Sequence, residues 1–168
     1  NFKGFFNIIE SCRVFKIKNL IFASSSSVYG NNNKDYFSEE DFVDTPLNLY
    51  AASKKSNELM AYSYANLYKI KTIGLRFFTV YGSYGRPDMS YYKFTHDILK
   101  GKKIDIYGRG EMYRDFTHID DITKGIIDLV EFMIKSRFNN SVPYSIFNIG
   151  NNSPVKLIYF ISLIEKAL

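Results

Sequence analysis

Two residues at helical spacing offer the first chemistry: Tyr50 and Lys54, in the run Tyr50-Ala-Ala-Ser-Lys54. Positions i and i+4 share a helix face, which brings the lysine ammonium toward the phenol. A free tyrosine ionises near pH 10 and is a poor base at neutrality, whereas a neighbouring cation favours the phenolate. Lowering that pKa by about 3 units takes about 4 kcal/mol of differential stabilisation, which one Lys and a cationic ligand can supply together. With 14 Tyr and 16 Lys among 168 residues, chance alone predicts about one such pair. Taken alone, then, the spacing reads better as a surface Tyr beside a Lys.

Context comes from Ser24, Ser25, Ser26 and Ser27, which follow directly on the apolar run Leu20-Ile-Phe-Ala23 and precede Val28-Tyr29-Gly30. A flexible linker would bring Gly and no flanking strand. Hydroxyls at the carboxyl end of a strand lie where α/β sheets bind ligands. One of them could hydrogen-bond a substrate alcohol and hold it toward Tyr50. Ser, Tyr and Lys then form a proton-transfer set suited to an alcohol being oxidised.

Further along, Arg76-Phe-Phe-Thr-Val-Tyr-Gly82 leads to Arg86-Pro-Asp88. Thr79 and Arg86 offer a hydroxyl and a guanidinium to a carboxylate or phosphate; the alternative is a turn with a solvated Arg. Gly108-Arg109-Gly110 is followed by Arg114-Asp115. Two Arg near a Gly turn can clamp a diphosphate, with Asp115 orienting Arg114; the alternative is a hairpin with paired charges. His118, Asp120 and Asp121 are read as a helix start, since Asp before an apolar helix is an N-cap, and no metal site is expected. His96 reads as a helix-surface residue.

The elements that must position these groups follow from periodicity. Residues 2–16 read as a helix, and Leu20 to Ala23 as a buried parallel strand. Gly30 to Asp44 is polar and reads as a surface loop. Thr45-Pro46 suits the start of a long helix, whose periodicity runs from Leu49 to about Tyr68. Strands are expected at Thr72 to Phe77, Ile104 to Tyr107, Arg114 to Thr117 and Tyr144 to Ile149. A loop spans Thr79 to Asp88. Helices are expected from Ser90 to Lys100, from Asp120 or Asp121 to about Ile134, and from Ser153-Pro154 onward. Strands alternating with helices imply βαβ units and a mainly parallel sheet.

Composition narrows the class. Apolar residues make up 46% and charged residues 23%, which is globular and excludes intrinsic disorder. No apolar run approaches bilayer length, and no signal-like cleavage site follows the start. The single Cys, Cys12, rules out an internal disulfide and a Cys-rich metal site, and a reducing cytoplasm is the simplest home. A net charge of +5 permits an anionic partner, yet the basic residues are dispersed, unlike the concentrated face of a nucleic-acid binder. A codon bias toward Lys, Asn, Ile and Tyr accounts for the charge, and neither nucleic acid nor membrane is expected as a partner. The chain begins with Asn1 and ends in an uncapped helical run, Phe160 to Leu168. Both features suggest a piece of a longer protein.

These segments occur in one order, and together the chain resembles the extended short-chain dehydrogenase/reductase family, the NAD-dependent sugar-nucleotide epimerases and dehydratases, over essentially its whole length. Leu20 to Gly30 resembles the family's serine strand, Tyr50 to Lys54 its Tyr-x-x-x-Lys, and Arg114-Asp-Phe-Thr-His-Ile-Asp-Asp121 its diphosphate-contacting segment. Leu75 to Gly82 and Gly85-Arg-Pro-Asp-Met89 are most similar to the UDP-glucuronate 4-epimerase branch. The resemblance implies an α/β, Rossmann-like, mainly parallel sheet with flanking helices. It implies one partial domain over 1–168, lacking the first βαβ units and the C-terminal part of the substrate region, which begins near residue 82. It implies NAD as cofactor, with Tyr50 as base, Ser25 in the catalytic Ser/Thr position, and Lys54 binding the nicotinamide ribose and tuning Tyr50. Ser24 and Phe77 would adjoin the cofactor. Ser26, Ser27 and Thr79 would line the sugar, Arg86 would face the glucuronate end, and Arg114 would hold the diphosphate. Asn1 matches an Asn at the start of the family's corresponding helix. Relatives often dimerise through the Tyr-x-x-x-Lys helix, where Leu59, Met60, Tyr62 and Tyr64 supply apolar surface; the alternative is that these residues serve the monomer core.

The departures are informative. The family's dehydratases place Asp-Glu just after the catalytic Ser/Thr, whereas Ser26 and Ser27 stand here, which argues for epimerisation over water elimination. Ser83-Tyr84 replaces a usual Pro-Trp. The glycine-rich Gly-x-x-Gly-x-x-Gly loop is missing; in the family it lies upstream of the segment matched by this chain. The expected activity of the complete protein is 4-epimerisation of a UDP-sugar, UDP-glucuronate foremost, with this stretch alone inactive. Its alternatives are UDP-glucose 4-epimerase or another nucleotide-sugar oxidoreductase, a non-catalytic remnant, and, least favoured, a nucleic-acid binder.

Overall fold

A computed structural model describes residues 1–32, 34, 36–135 and 141–168, with Tyr107 described for its backbone only. Asn33 and Asp35, within the loop expected from Gly30 to Asp44, lie outside the described residues. The backbone groups into two compact units. One comprises Asn1–Phe77 with Gly125–Ile149, the other Phe78–Lys124 with Gly150–Leu168.

The first unit is built on strands β1 (Asn19–Ala23), β2 (Lys71–Phe77) and β6 (Tyr144–Ile149), hydrogen-bonded in parallel in the order β1-β2-β6. Their side chains alternate between two apolar layers, as strand geometry requires. Phe22 packs with Ile9 of helix α1 (Phe2–Val14) and Ala61 of helix α2 (Leu49–Tyr68), joined by Leu20, Tyr144 and Ile146. Ile73 and Leu75 pack with Met133, Ile126 and Leu129 of helix α4 (Ile119–Lys135). Both sheet faces are therefore covered, which explains the near-continuous apolar strands. Gly74 in the central strand leaves room for its neighbours, since a Cβ there would lie 2.5 Å from Ile146 and 2.7 Å from Phe22.

The long helix begins later than Thr45-Pro46 suggests. Asn48 is its cap, its side-chain oxygen accepting from Ala51 N at 2.8 Å, and an Asx cap outcompetes the Thr-Pro signal. The helix ends where Lys69 turns left-handed at φ 55°. Tyr64 on α2 donates to Glu10 of α1 at 2.8 Å, and Tyr62 meets Tyr144 edge-on at 5.4 Å. Leu59, on the same helix, is exposed.

In the second unit, β3 (Thr79–Tyr81) pairs in parallel with β5 (Phe116–His118), and β4 (Tyr113–Arg114) pairs antiparallel with β7 (Val155–Lys156). Helices α3 (Ser90–Leu99) and α5 (Leu157–Ala167) close a core of Phe94, Phe116, Leu157 and Ile161. The strand expected at Ile104 to Tyr107 is not formed: Ile104 and Ile106 pack onto that core instead, and a turn with left-handed Gly108 and Arg109 takes Tyr107–Gly110. β3 falls within the loop expected from Thr79 to Asp88. The last helix starts at Leu157, because residues 155–156 pair with β4 first. Among the described residues no helix is long and apolar enough to cross a membrane.

Candidate functional site

The carboxyl end of β1 runs straight into the serine segment. Ser25 is extended (φ −160°, ψ 145°) and caps a 3-10 turn over Ser26–Tyr29. Its Oγ accepts from Ser27 N at 3.2 Å and from Ser27 Oγ at 2.8 Å. Both hydrogen bonds are incoming, so the Ser25 hydroxyl keeps its own proton to donate. Gly30 ends the turn at φ 60°, where only a glycine fits against the Thr45 carbonyl.

Helix α2 presents Tyr50 and Lys54 to this strand end. Lys54 Nζ donates to Ala23 O at 2.9 Å, so the helix is tied to the last residue of β1. The same ammonium lies 5.8 Å from the Tyr50 ring centroid, and Tyr50 is half-exposed. Asn1 Nδ2 donates to Ser53 Oγ at 2.8 Å, which ties the start of α1 to the same stretch of α2. Ser24, Ser25, Ser26, Ser27, Tyr50, Lys54 and Phe77 all belong to the first unit. The segment offers a Ser25 hydroxyl that accepts and keeps its own proton, a half-exposed phenol and a cation fixed on Ala23 O, and these groups could hold a nicotinamide ribose and a sugar hydroxyl.

Thr79, Arg86 and Arg114 belong to the second unit. Thr79 sits on β3 and its N–H donates to Asp115 O at 3.1 Å. Arg86 is exposed and forms a bidentate pair with Asp88, which holds the Asp88 carboxyl below its ordinary range. Arg114 is exposed on β4, and its guanidinium contacts Tyr113 O and Met112 S. Asp115 does not orient Arg114, as the sequence suggested. Its carboxylate accepts from Asn152 N at 3.1 Å and Ser153 N at 3.5 Å, because the turn at 150–153 needs acceptors for its backbone. Gly108, Arg109 and Gly110 are all left-handed, a turn instead of a hairpin. Asp120 N donates to His118 Nδ1 at 3.3 Å, so His118 serves the helix start at Ile119. His96 pairs with its neighbour Asp97 at 3.0 Å.

Sequence reasoning passed over a buried polar group in the first unit. Glu58 and Arg76 face each other there, with Ser24, Tyr29 and Asn148 bonded around them. The Ser24 hydroxyl is turned inward to Glu58 at 2.6 Å. Burial pushes the Tyr29 phenol above its ordinary pKa, against the pull of Arg76. Burial also works against the Arg76 charge, yet the hydrogen bonds it donates to Glu58 and Tyr29 outweigh it and hold the guanidinium protonated. The available signal was Arg76 standing inside an otherwise apolar strand, since a charge there needs a buried partner.

A parallel sheet covered on both faces, with hydroxyls and a Tyr–Lys pair at a strand's carboxyl end, defines a Rossmann-like fold. The family model for NAD dependent epimerases and dehydratases matches residues 1–150, and the chain belongs to that family. An uncharacterized protein of Methanocaldococcus jannaschii is 57% identical over 168 residues, covering all of this chain and 49% of the relative. A probable UDP-glucuronate 4-epimerase of Rhizobium meliloti is 44% identical over 179 residues, covering all of this chain and 52% of the relative. The solved structure of UDP-glucuronic acid 4-epimerase from Bacillus cereus, in complex with UDP-glucuronic acid and NAD, superposes with a TM-score of 0.87 at 32% identity, over 98% of this chain and 50% of that one. The chain thus spans about half the length of the curated relatives it matches.

Proposed function

We propose that the whole protein is an NAD-dependent UDP-sugar 4-epimerase acting on UDP-glucuronate, and that this chain carries its proton-transfer residues. The observation that carries the reading is the bond from Lys54 Nζ to Ala23 O at 2.9 Å. It docks the helix face bearing Tyr50 on the end of the serine strand, which is the arrangement an alcohol oxidation needs. Tyr50 is the base that takes the proton of the sugar's 4-hydroxyl, with the Lys54 ammonium beside its ring. Ser25 donates its free proton direction to the same oxygen and holds it toward Tyr50. NAD, when bound, supplies a two-electron acceptor that takes and later returns the hydrogen at C4, so no external oxidant is consumed. Tyr50 would hold the proton while C4 is oxidised and give it back to the 4-oxygen when C4 is reduced.

Tyr50 and Lys54 would also hold the nicotinamide ribose. Ser24 and Phe77 would adjoin the cofactor through their places at the ends of β1 and β2, since the Ser24 hydroxyl is engaged by Glu58. Ser26, Ser27 and Thr79 would contact the sugar, and Arg114 the diphosphate. Arg86 would read the glucuronate carboxylate by exchanging its Asp88 partner for the substrate. Ser26 and Ser27, where an acid/base pair would be needed to eliminate water, support epimerisation. The reading further assigns a homodimer, a cytoplasmic location, and no nucleic-acid or membrane partner. Replacing the Tyr50 phenol in Tyr50→Phe is expected to lower kcat on UDP-glucuronate by about 10²–10⁴-fold; a variant with parental turnover would remove Tyr50 from the mechanism.

A further inference from the structure

The buried polar group of the first unit takes no part in that chemistry, and its geometry asks for another role. Glu58 and Arg76 are each 3% exposed. Arg76 Nε donates to Glu58 Oε1 and Arg76 Nη2 to Glu58 Oε2, both at 2.9 Å. The remaining nitrogen, Nη1, donates to Tyr29 Oη at 3.0 Å and to Glu39 O at 3.4 Å. The guanidinium carbon lies 4.8 Å from the Tyr29 ring centroid. Tyr29 Oη in turn donates to Asn148 Oδ1 at 2.6 Å. A buried ion pair is poor evidence for stability, because an apolar pair of similar volume is frequently as stable.

The two arms of the pair grip the two ends of one short segment. Ser24 opens it and is held by Glu58 at 2.6 Å; Tyr29 closes it and is held by Arg76. Ser25 and the turn Ser26–Tyr29 lie between. Glu58 also continues the helix face of Tyr50 and Lys54, four residues beyond Lys54. Lys54 bonds to Ala23 O and Glu58 to Ser24, so consecutive turns of α2 are tied to consecutive residues at the end of β1.

We propose that Glu58 and Arg76 are positioning residues that clamp the Ser24–Tyr29 segment and so fix Ser25 relative to Tyr50. The proposal rests on the roles given to Ser25 and Tyr50 above, and its test separates the two.

In the whole protein, Glu58→Gln is expected to lower kcat on UDP-glucuronate about 100-fold, the effect of a misplacement of about 1 Å, with KM changed less than about threefold. Amide hydrogen exchange over residues 25–30 should rise about tenfold or more while β2 stays protected. Ser24→Ala, which severs one arm and leaves the ion pair intact, should move both readouts in the same direction by less. The pair replacement Glu58→Leu/Arg76→Met should regain the parental melting temperature without regaining kcat. Recovery of kcat together with the melting temperature would show a merely structural role and overturn the proposal. Unchanged exchange over residues 25–30 in Glu58→Gln and Ser24→Ala would overturn it as well. A parental protein that turns over no UDP-sugar would instead refute the 4-epimerase reading, while exchange would still decide whether the pair clamps the segment.

Discussion

Gly30 ends the turn that carries Ser25, and replacing it with Ala tests how tightly that turn is built. Its backbone sits at φ 60°, ψ −129°, a region essentially reserved for glycine, where another residue costs about 1–3 kcal/mol. An added Cβ would lie 2.1 Å from the Thr45 carbonyl oxygen and 3.1 Å from its carbon. That obstacle is backbone and cannot rotate away as a side chain would, so relieving it costs about 1–3 kcal/mol more. The two terms together predict a loss of about 4 kcal/mol, or roughly 8–16 °C in Tm at about 2–4 °C per kcal/mol for a chain of 168 residues. Gly101 offers a positive φ without the close approach: its φ is 62° and nothing lies within 4 Å of an added Cβ. Gly4, in α1 with open space around it, is the control of opposite sign, since Ala there gains about 1 kcal/mol of helix propensity. Thermal and urea denaturation of the three variants should rank Gly30→Ala well below Gly101→Ala, and Gly4→Ala above the parent. A Gly30→Ala variant no less stable than Gly101→Ala would refute the close approach to Thr45 and, with it, the rigidity ascribed to the serine turn.

Three other outcomes follow from the same geometry. The Glu10 carboxyl is held down to about 2 from its ordinary 4.5, first by its hydrogen bond to Arg13 and then by that to Tyr64. A depressed folded pKa adds stability that is complete above the ordinary value and lost as pH falls through the folded one. The stability gap between parent and Glu10→Gln should therefore be flat above pH 5 and close toward pH 2; a gap independent of pH would contradict the pairing. Arg86→Ala should raise KM for UDP-glucuronate about 10–100-fold, the range of a hydrogen bond to a charged group, and spare a neutral UDP-hexose; equal losses on both would end the carboxylate assignment. Leu59→Arg, on the exposed flank of α2, should convert a sedimenting dimer to monomer, and a parental protein that sediments as a monomer would remove the dimer.

The parallel sheet and its main helices were legible because their signals are long. β1, β2 and β6 are apolar runs, and α2 keeps its periodicity from Leu49 to Tyr68. Elements of two or three residues, such as β3 and β7, carry no periodicity to read. Ile104 and Ile106 misled because two apolar residues at alternate positions satisfy a strand template, while here they fill a core. The closeness of Tyr50 and Lys54 was readable from local spacing, since a helix converts spacing into proximity. The Glu58–Arg76 pair was not, because the partners sit on different elements and only the packing of α2 on β2 brings them together. Asp115 was assigned to its sequence neighbour Arg114, but the unpaired N–H groups of Asn152 and Ser153 compete for its carboxylate and win it.

The proposed function has the whole protein invert C4 of a UDP-sugar by removing a hydrogen and returning that same hydrogen. NMR of the whole protein with NAD and UDP-glucuronate in D2O tests this directly. Conversion to UDP-galacturonate with no deuterium at C4 of the product is expected. Absence of conversion, or deuterium incorporated at C4, would contradict it.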